Sequence, residues 1–200
     1  MITNSPVCAP AWACLALGKR RHRTGVWSNP DDTDPAETTL FNLLQDAGYH
    51  TVTCGKNDLH KGSDDYHNSG WVPRLGAYGF DDAIDQRGKM NSGAAMPDRG
   101  GAYLEYLRSH ELLQTHIDDY DARKQKPSTF ATLAWPTPLE REQFMDDFCG
   151  RAALELLDRA PEGKPWCLWV NYSSINHCSG WCSTVTIQGH PSSAPSPATL

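Results

Sequence analysis

The 200-residue chain has no apolar run long enough to cross a bilayer, and its N-terminus lacks the charged-then-apolar layout of an export leader. Those absences lead to the expectation of a soluble protein with no membrane contact and, as the chain stands, a cytoplasmic one. A regular cysteine framework is missing too. The seven cysteines (Cys8, Cys14, Cys54, Cys149, Cys167, Cys178 and Cys182) are odd in number and irregularly spaced, so most read as free thiols. Nor is there an excess of positive charge: a formal net charge of -6 argues against a dedicated nucleic-acid binder, despite the local basic run Lys19-Arg20-Arg21-His22-Arg23. What is present, 39% hydrophobic and 21% charged residues, suits one globular domain with a real core.

Helix and strand signals alternate along the chain. Pro10 suits a first helical turn, Ala11 to Leu17 are good helix formers, and Gly18 is a natural stop, which puts Cys8 just before a helix N-terminus. There the helix dipole and free N–H groups favour a negative charge on it or on a bound anion. Asp34-Pro35-Ala36-Glu37 has the form of a capping box, with Leu40, Leu43, Leu44 and Ala47 at helical spacing up to Gly48. His50 to Cys54 is a short β-rich run that leads into Gly55-Lys56. From Asn57 to about Gly101 the pattern is lost, as in a long loop that serves a site. A helix is expected over Ala102 to Leu113 and none over Asp118 to Pro136. Thr137-Pro138-Leu139-Glu140 forms a second capping box, opening a helix with Met145, Phe148, Cys149, Ala152 and Leu156 on one face and a stop near Pro161-Glu162-Gly163. Pro165 to Tyr172 reads as a strand buried on both faces. Residues 173–200 are rich in Ser, Pro, Gly and Thr without a period and read as an irregular, disordered tail. The order of elements suits an α/β layer fold, whose ligands gather beyond the carboxyl ends of the strands.

Three features carry candidate chemistry: Cys8-Ala9-Pro10 at the helix start, the Lys19 to Arg23 run, and Gly55-Lys56-Asn57-Asp58-Leu59-His60 after the strand. Together they offer a nucleophile, several cations and an imidazole where a tetrahedral anion could be held. Each has a bland counterpart, since Cys is among the most buried residue types and a basic run is usually a solvated face.

Pro6-Val7-Cys8-Ala9-Pro10-Ala11, continuing through Leu15 and Gly18 to His22-Arg23-Thr24-Gly25-Val26, resembles the first signature of the sulfatase family, whose core is C-x-P-x-R. Gly48-Tyr49-His50-Thr51-Val52-Thr53-Cys54-Gly55-Lys56 resembles its second signature, G-Y-x-T-x-x-x-G-K, in matching order and separation, and Pro165 to Tyr172 resembles the family strand before its next active-site loop. The resemblance implies an alkaline-phosphatase-like α/β fold with a mostly parallel sheet flanked by helices, occupying residues 1–172 as a partial domain. It also implies hydrolysis of small-molecule or glycan sulfate esters by a formylglycine made from Cys8, with a divalent cation, usually calcium. Carried across residue by residue, Cys8 is the nucleophile precursor and a metal ligand, Lys56 a sulfate contact, and His60 the histidine that follows the Gly-Lys pair.

The departures are specific. Trp12 stands where the signature has Arg, Asp58 stands where many members have the histidine, and seven residues precede Cys8, where the family has a strand with paired acidic metal ligands. They lead to the expectation of an internal fragment whose last ~25 residues, biased in composition, are unrelated to the family. Three alternatives stay open: a phosphate or phosphonate ester hydrolase of the same superfamily, an inactive remnant, and a small metal-binding module using His177, Cys178, Cys182 and His190.

Overall fold

The computed structural model describes residues 3–62, 73–86, 88, 101–125, 136–173 and 183–189. Its centre is a four-stranded sheet in the order β2-β1-β3-β4, with β1 His50–Gly55, β2 Asp82–Asp85, β3 Trp166–Tyr172 and β4 Ser183–Gly189. Strands β2 and β3 both run parallel to β1, and β4 runs antiparallel to β3. The expected α/β architecture with a mostly parallel sheet is what the chain adopts.

Alternation along the central strands sends side chains into two different cores. Val52, Cys54, Leu168 and Val170 pack with Cys149, Ala152, Ala153 and Leu156 of a helix at Met145–Asp158. On the opposite face Trp169 and Ala83 join Trp12 and Ala16 of α1 (Cys8–Leu17) and Phe41 of α2 (Leu40–Asp46). The Trp169 ring is the hub there, with Trp12 edge-on at 5.1 Å, Phe41 tilted at 4.7 Å and Phe80 stacked at 5.8 Å. Burial on both faces is why β1 and β3 read as almost unbroken apolar or β-branched runs.

The elements differ from the sequence expectation where a side chain found a better partner. Helix α2 begins at Leu40 and not after Asp34, because Thr39 is a stronger cap: its hydroxyl accepts from Phe41 and Asn42 N–H at 3.1 and 3.2 Å and donates to the Tyr78 carbonyl at 2.6 Å. Asp34 instead closes a turn, accepting from Ala36 N–H at 2.9 Å. The stretch expected as loop holds a short helix, α3 Pro73–Ala77, and strand β2. Helix α4 spans Ala102–Ser109 and α5 Leu113–Lys124, broken at Glu111, whose φ of 59° is left-handed. Residues 118–124 are therefore helical, contrary to expectation. The helix at Met145–Asp158, α6, starts later than its sequence signal because Glu140 and Gln143 cap a 3-10 turn at Arg141–Gln143 first. Strand β4 lies within the tail expected to be irregular, where Thr184, Val185, Thr186 and Ile187 supply four consecutive β-branched residues. The zinc-module residues His177, Cys178, Cys182 and His190 lie outside the described residues.

Candidate functional site

The parallel register ends in one row, with Gly55 between Asp85 of β2 and Asn171 of β3. The ladder continues one step beyond it: Lys56 N–H donates to the Asn171 carbonyl at 3.1 Å and Gln86 N–H to the Gly55 carbonyl at 3.1 Å. Gly55 has to be glycine, since its φ is 98° and a Cβ would sit 2.1 Å from the Asn171 oxygen. That conformation aims the next residues across the carboxyl ends of the sheet, where α/β folds hold their ligands.

The turn that follows is buried and polar. Lys56, Asn57, Asp58, His60, Asp85, Gln86, Asn171 and Ser173 are all buried, a density of polar groups that needs internal partners. Lys56 Nζ lies 2.5 Å from Asp58 Oδ2, and the same oxygen is 3.4 Å from Lys61 Nζ. Asn57 Oδ1 accepts from Leu59 N–H at 3.1 Å, closing a side-chain-capped turn. Asp85 reaches the turn twice: Oδ1 accepts from Asn57 N–H at 3.2 Å, and Oδ2 is 3.3 Å from Nε2 of His60. Burial pushes the Asp85 carboxyl above its ordinary range, and the adjacent His60 pulls it partly back. Gly88 closes over the lysine stem, since a Cβ there would sit 2.8 Å from Lys56 Cε.

Among the described residues, several buried polar atoms in this region have no hydrogen-bond partner: Asn57 Nδ2, the whole Gln86 amide, Ser173 Oγ and Asp85 Oδ2, which lies near His60 without bonding to it. Two amide donors and a hydroxyl, near a buried lysine, have the chemistry of a site that takes an oxyanion.

Cys8 is half-buried in the first turn of α1, inside the helix and not before it, with Val7 as the N-cap. It packs against the apolar cluster that contains Leu59, Trp12 and Trp169. The adjacent Ala9 N–H donates to Asn29 Oδ1 at 3.2 Å. Trp12 is 2% exposed and points into that cluster, so the position that carries a cation in the signature is filled by a core side chain. The basic run stands apart. Lys19 pairs with Glu37, Arg21 donates to the Trp27 carbonyl and lies 5.4 Å over its ring, and Arg20, His22 and Arg23 are exposed.

Among the described residues the donors do not gather into a site that fits a divalent cation: no group of three or more His, Cys, Asp or Glu comes together where a metal could sit. Asp58 is engaged by two lysines and Asp85 by His60. Cys8, expected as a metal ligand, lies against apolar neighbours.

Asp85, Gln86 and Ser173 lie outside the candidate stretches read from the sequence, and Asn57 lies within one without a role of its own. Asn171 left a signal, as the one polar side chain inside the Trp166–Val170 run and its extension to Tyr172, and Asp85 left a weaker one, as an acid closing a four-residue strand.

Among the described residues no helix is long and apolar enough to cross a membrane. The family model described as Sulfatase matches residues 1–183, reaching past Tyr172. The chain is 40% identical over 60 residues to arylsulfatase K of Danio rerio, a match covering 30% of this chain and 12% of that protein. It is 38% identical over 60 residues to arylsulfatase K of Homo sapiens, covering 30% and 11%, and 38% identical over 71 residues to the uncharacterized sulfatase YidJ of Escherichia coli (strain K12), covering 36% and 14%. The chain thus spans about an eighth of the length of these relatives. With the family match running over most of its length and the polar turn seated at the carboxyl ends of a parallel sheet, the chain belongs to the sulfatase family.

Proposed function

We propose that this chain is part of a sulfatase-type hydrolase of sulfate esters, with the sulfate group held at the Lys56–His60 turn. The observation that carries the reading is the burial of Lys56 together with the unpartnered Asn57, Gln86 and Ser173 groups, at the strand ends of a sulfatase-family sheet. Lys56 supplies the charge that a sulfate oxygen needs, and the neutral donors satisfy further oxygens without adding net charge. His60 is the group that moves a proton at the ester oxygen or the nucleophile. Cys8 is the nucleophile position; oxidised to formylglycine it would supply a recyclable attacking oxygen.

The test has two parts. Mass spectrometry of the Cys8 peptide, from a host competent for formylglycine formation, is expected to show the oxidised residue; unmodified thiol alone would sink the nucleophile assignment and favour the phosphate or phosphonate ester alternative if hydrolysis persisted. Lys56→Ala is expected to abolish binding of inorganic sulfate, followed by calorimetry, and to lower kcat/KM on an aryl sulfate by about 10²–10³, the range for loss of one oxyanion donor. Unchanged sulfate affinity would move the anion site elsewhere.

A further inference from the structure

We propose that Cys54 and Cys149 form a redox-sensitive cross-linking site, oxidised to a disulfide by hydrogen peroxide, that ties β1 to α6 beneath the candidate site. Their sulfurs lie 3.7 Å apart, and the Cys54 thiol donates to the Cys149 carbonyl at 3.4 Å. Two cysteines 95 positions apart in the chain are brought into contact by the packing of α6 on the sheet. Both are buried, in the cluster that also holds Val52, Leu168, Val170, Ala152 and Ala153. The pair is separate from Cys8 and from the Lys56–His60 turn, so it stands whether or not that turn takes an anion.

Sheet and helix each fix one sulfur. Cys54 alternates with Val52 on the side of β1 that faces α6, and Cys149 lies one turn before Ala152 and Ala153 on the helix face that covers that side. Cys149 is also held at the strand ends: its thiol lies 3.8 Å from the Asn171 carbonyl, and a Cβ on Gly55 would come 2.8 Å from its sulfur. To bond, the sulfurs must close to about 2 Å, which rotation about the two Cα–Cβ bonds can supply. One thiolate attacks an oxygen of hydrogen peroxide, the O–O bond breaks, and hydroxide leaves and takes up the proton that the thiol gave up. The second sulfur then attacks the sulfenic acid, so that the S–S bond forms, the S–O bond breaks and water leaves with the second thiol's proton. In sum, two thiols lose two electrons and two protons, and one peroxide becomes two waters. The hydrogen bond to Cys149, together with burial, pushes the Cys54 thiol well above its ordinary range, so thiolate is scarce and the reaction is slow. The adjacent thiol makes the product a cross-link, because a sulfenic acid formed there meets a thiol before it meets more peroxide.

The experiment caps the accessible thiols of the folded full chain with iodoacetamide, adds hydrogen peroxide, and maps the peptides by mass spectrometry without reduction. The expected product is a Cys54–Cys149 peptide pair, lighter than the sum of its parts by two hydrogens and separated by reduction. Cys14 and Cys167, also buried and free, are expected to stay reduced. Cys54→Ala and Cys149→Ala are each expected to abolish the linked pair. A parallel sample, capped in the same way and then unfolded in urea before the peroxide is added, is expected to give mixed linkages among the buried cysteines. Equally selective Cys54–Cys149 linkage in urea would show that the fold does not bring the two together, and would overturn the proposal. Recovery of both cysteines from the folded chain as thiols or as sulfinic acids would overturn it too, as would linkage of either one to a different cysteine. These readouts are made on the wild type and do not depend on the variants folding.

Discussion

Trp12 shows how one side chain can be a departure from a signature and a necessity of the fold. Its ring packs edge-on against Trp169 in the cluster that also holds Phe41 and Ala16, so restoring the signature with Trp12→Arg removes a large buried aromatic and inserts a charge among apolar neighbours. The expected loss is at least the ~3–5 kcal/mol of a buried aromatic truncation, read as a lower midpoint in urea denaturation. A midpoint within error of the wild type would mean that the cavity accepts a guanidinium. Asp58 makes the opposite case. It neutralises Lys56 and Lys61 from inside the turn, competing with any anion for the same cations. Asp58→Asn is expected to tighten inorganic sulfate binding about tenfold, in line with removal of a close opposite charge; weaker binding would assign Asp58 to holding Lys56 in place. Lys56 and His60 could be picked out in the sequence because they follow a β-rich run in a stretch that resembles the second sulfatase signature. Asp85 could not, since its role depends on a parallel pairing between residues about thirty positions apart, which no local pattern records.

Among the elements, α6, β1 and β3 were legible because their periods survive in the sequence: Met145, Cys149, Ala152 and Leu156 face the core, and β3 is buried from Trp166 to Asn171. Strand β2 is four residues long with an acid at each end, too short to show a period. For α2 the sequence offers two successive caps, Asp34 and Thr39, and tertiary contact chooses between them. Thr39→Ala removes that cap along with the bond to the Tyr78 carbonyl, and is expected to lower stability by about 1–2 kcal/mol in equilibrium denaturation. At the start of β1, burial lowers the His50 pKa while Asp81, 3.4 Å away, pulls it partly back up. The neutral ring is therefore favoured in the folded chain more than in the unfolded one. Its contribution to stability is present above about pH 6.5 and is lost as pH falls through the lowered folded value. A pH series of denaturation midpoints should show this slope in the wild type and a shallower one in His50→Gln; equal slopes would place the titration elsewhere.

At the scale of the molecule, the sheet is assembled from strands far apart in sequence, with Thr53 and the Trp169 carbonyl to which its hydroxyl donates 116 positions apart. Both sheet faces depend on that pairing, since Val52 and Cys54 on one side and Trp169 on the other lie in clusters drawn from both strands' neighbours. The β1–β3 pairing also has a timetable. At ~5–20 residues per second, roughly ten seconds separate synthesis of β1 from that of its central neighbour. For that interval β1 can bury neither face as it does in the finished sheet. Refolding should be correspondingly slow, on the millisecond-to-second scale of non-local pairing. In pulse-labelled hydrogen exchange, β1 amides should gain protection in the same phase as those of β3; protection of β1 in an earlier phase would show that it finds a different neighbour first. The strand that places Lys56 is thus finished late in the life of the nascent chain, and the candidate site becomes whole only after that delayed partner arrives.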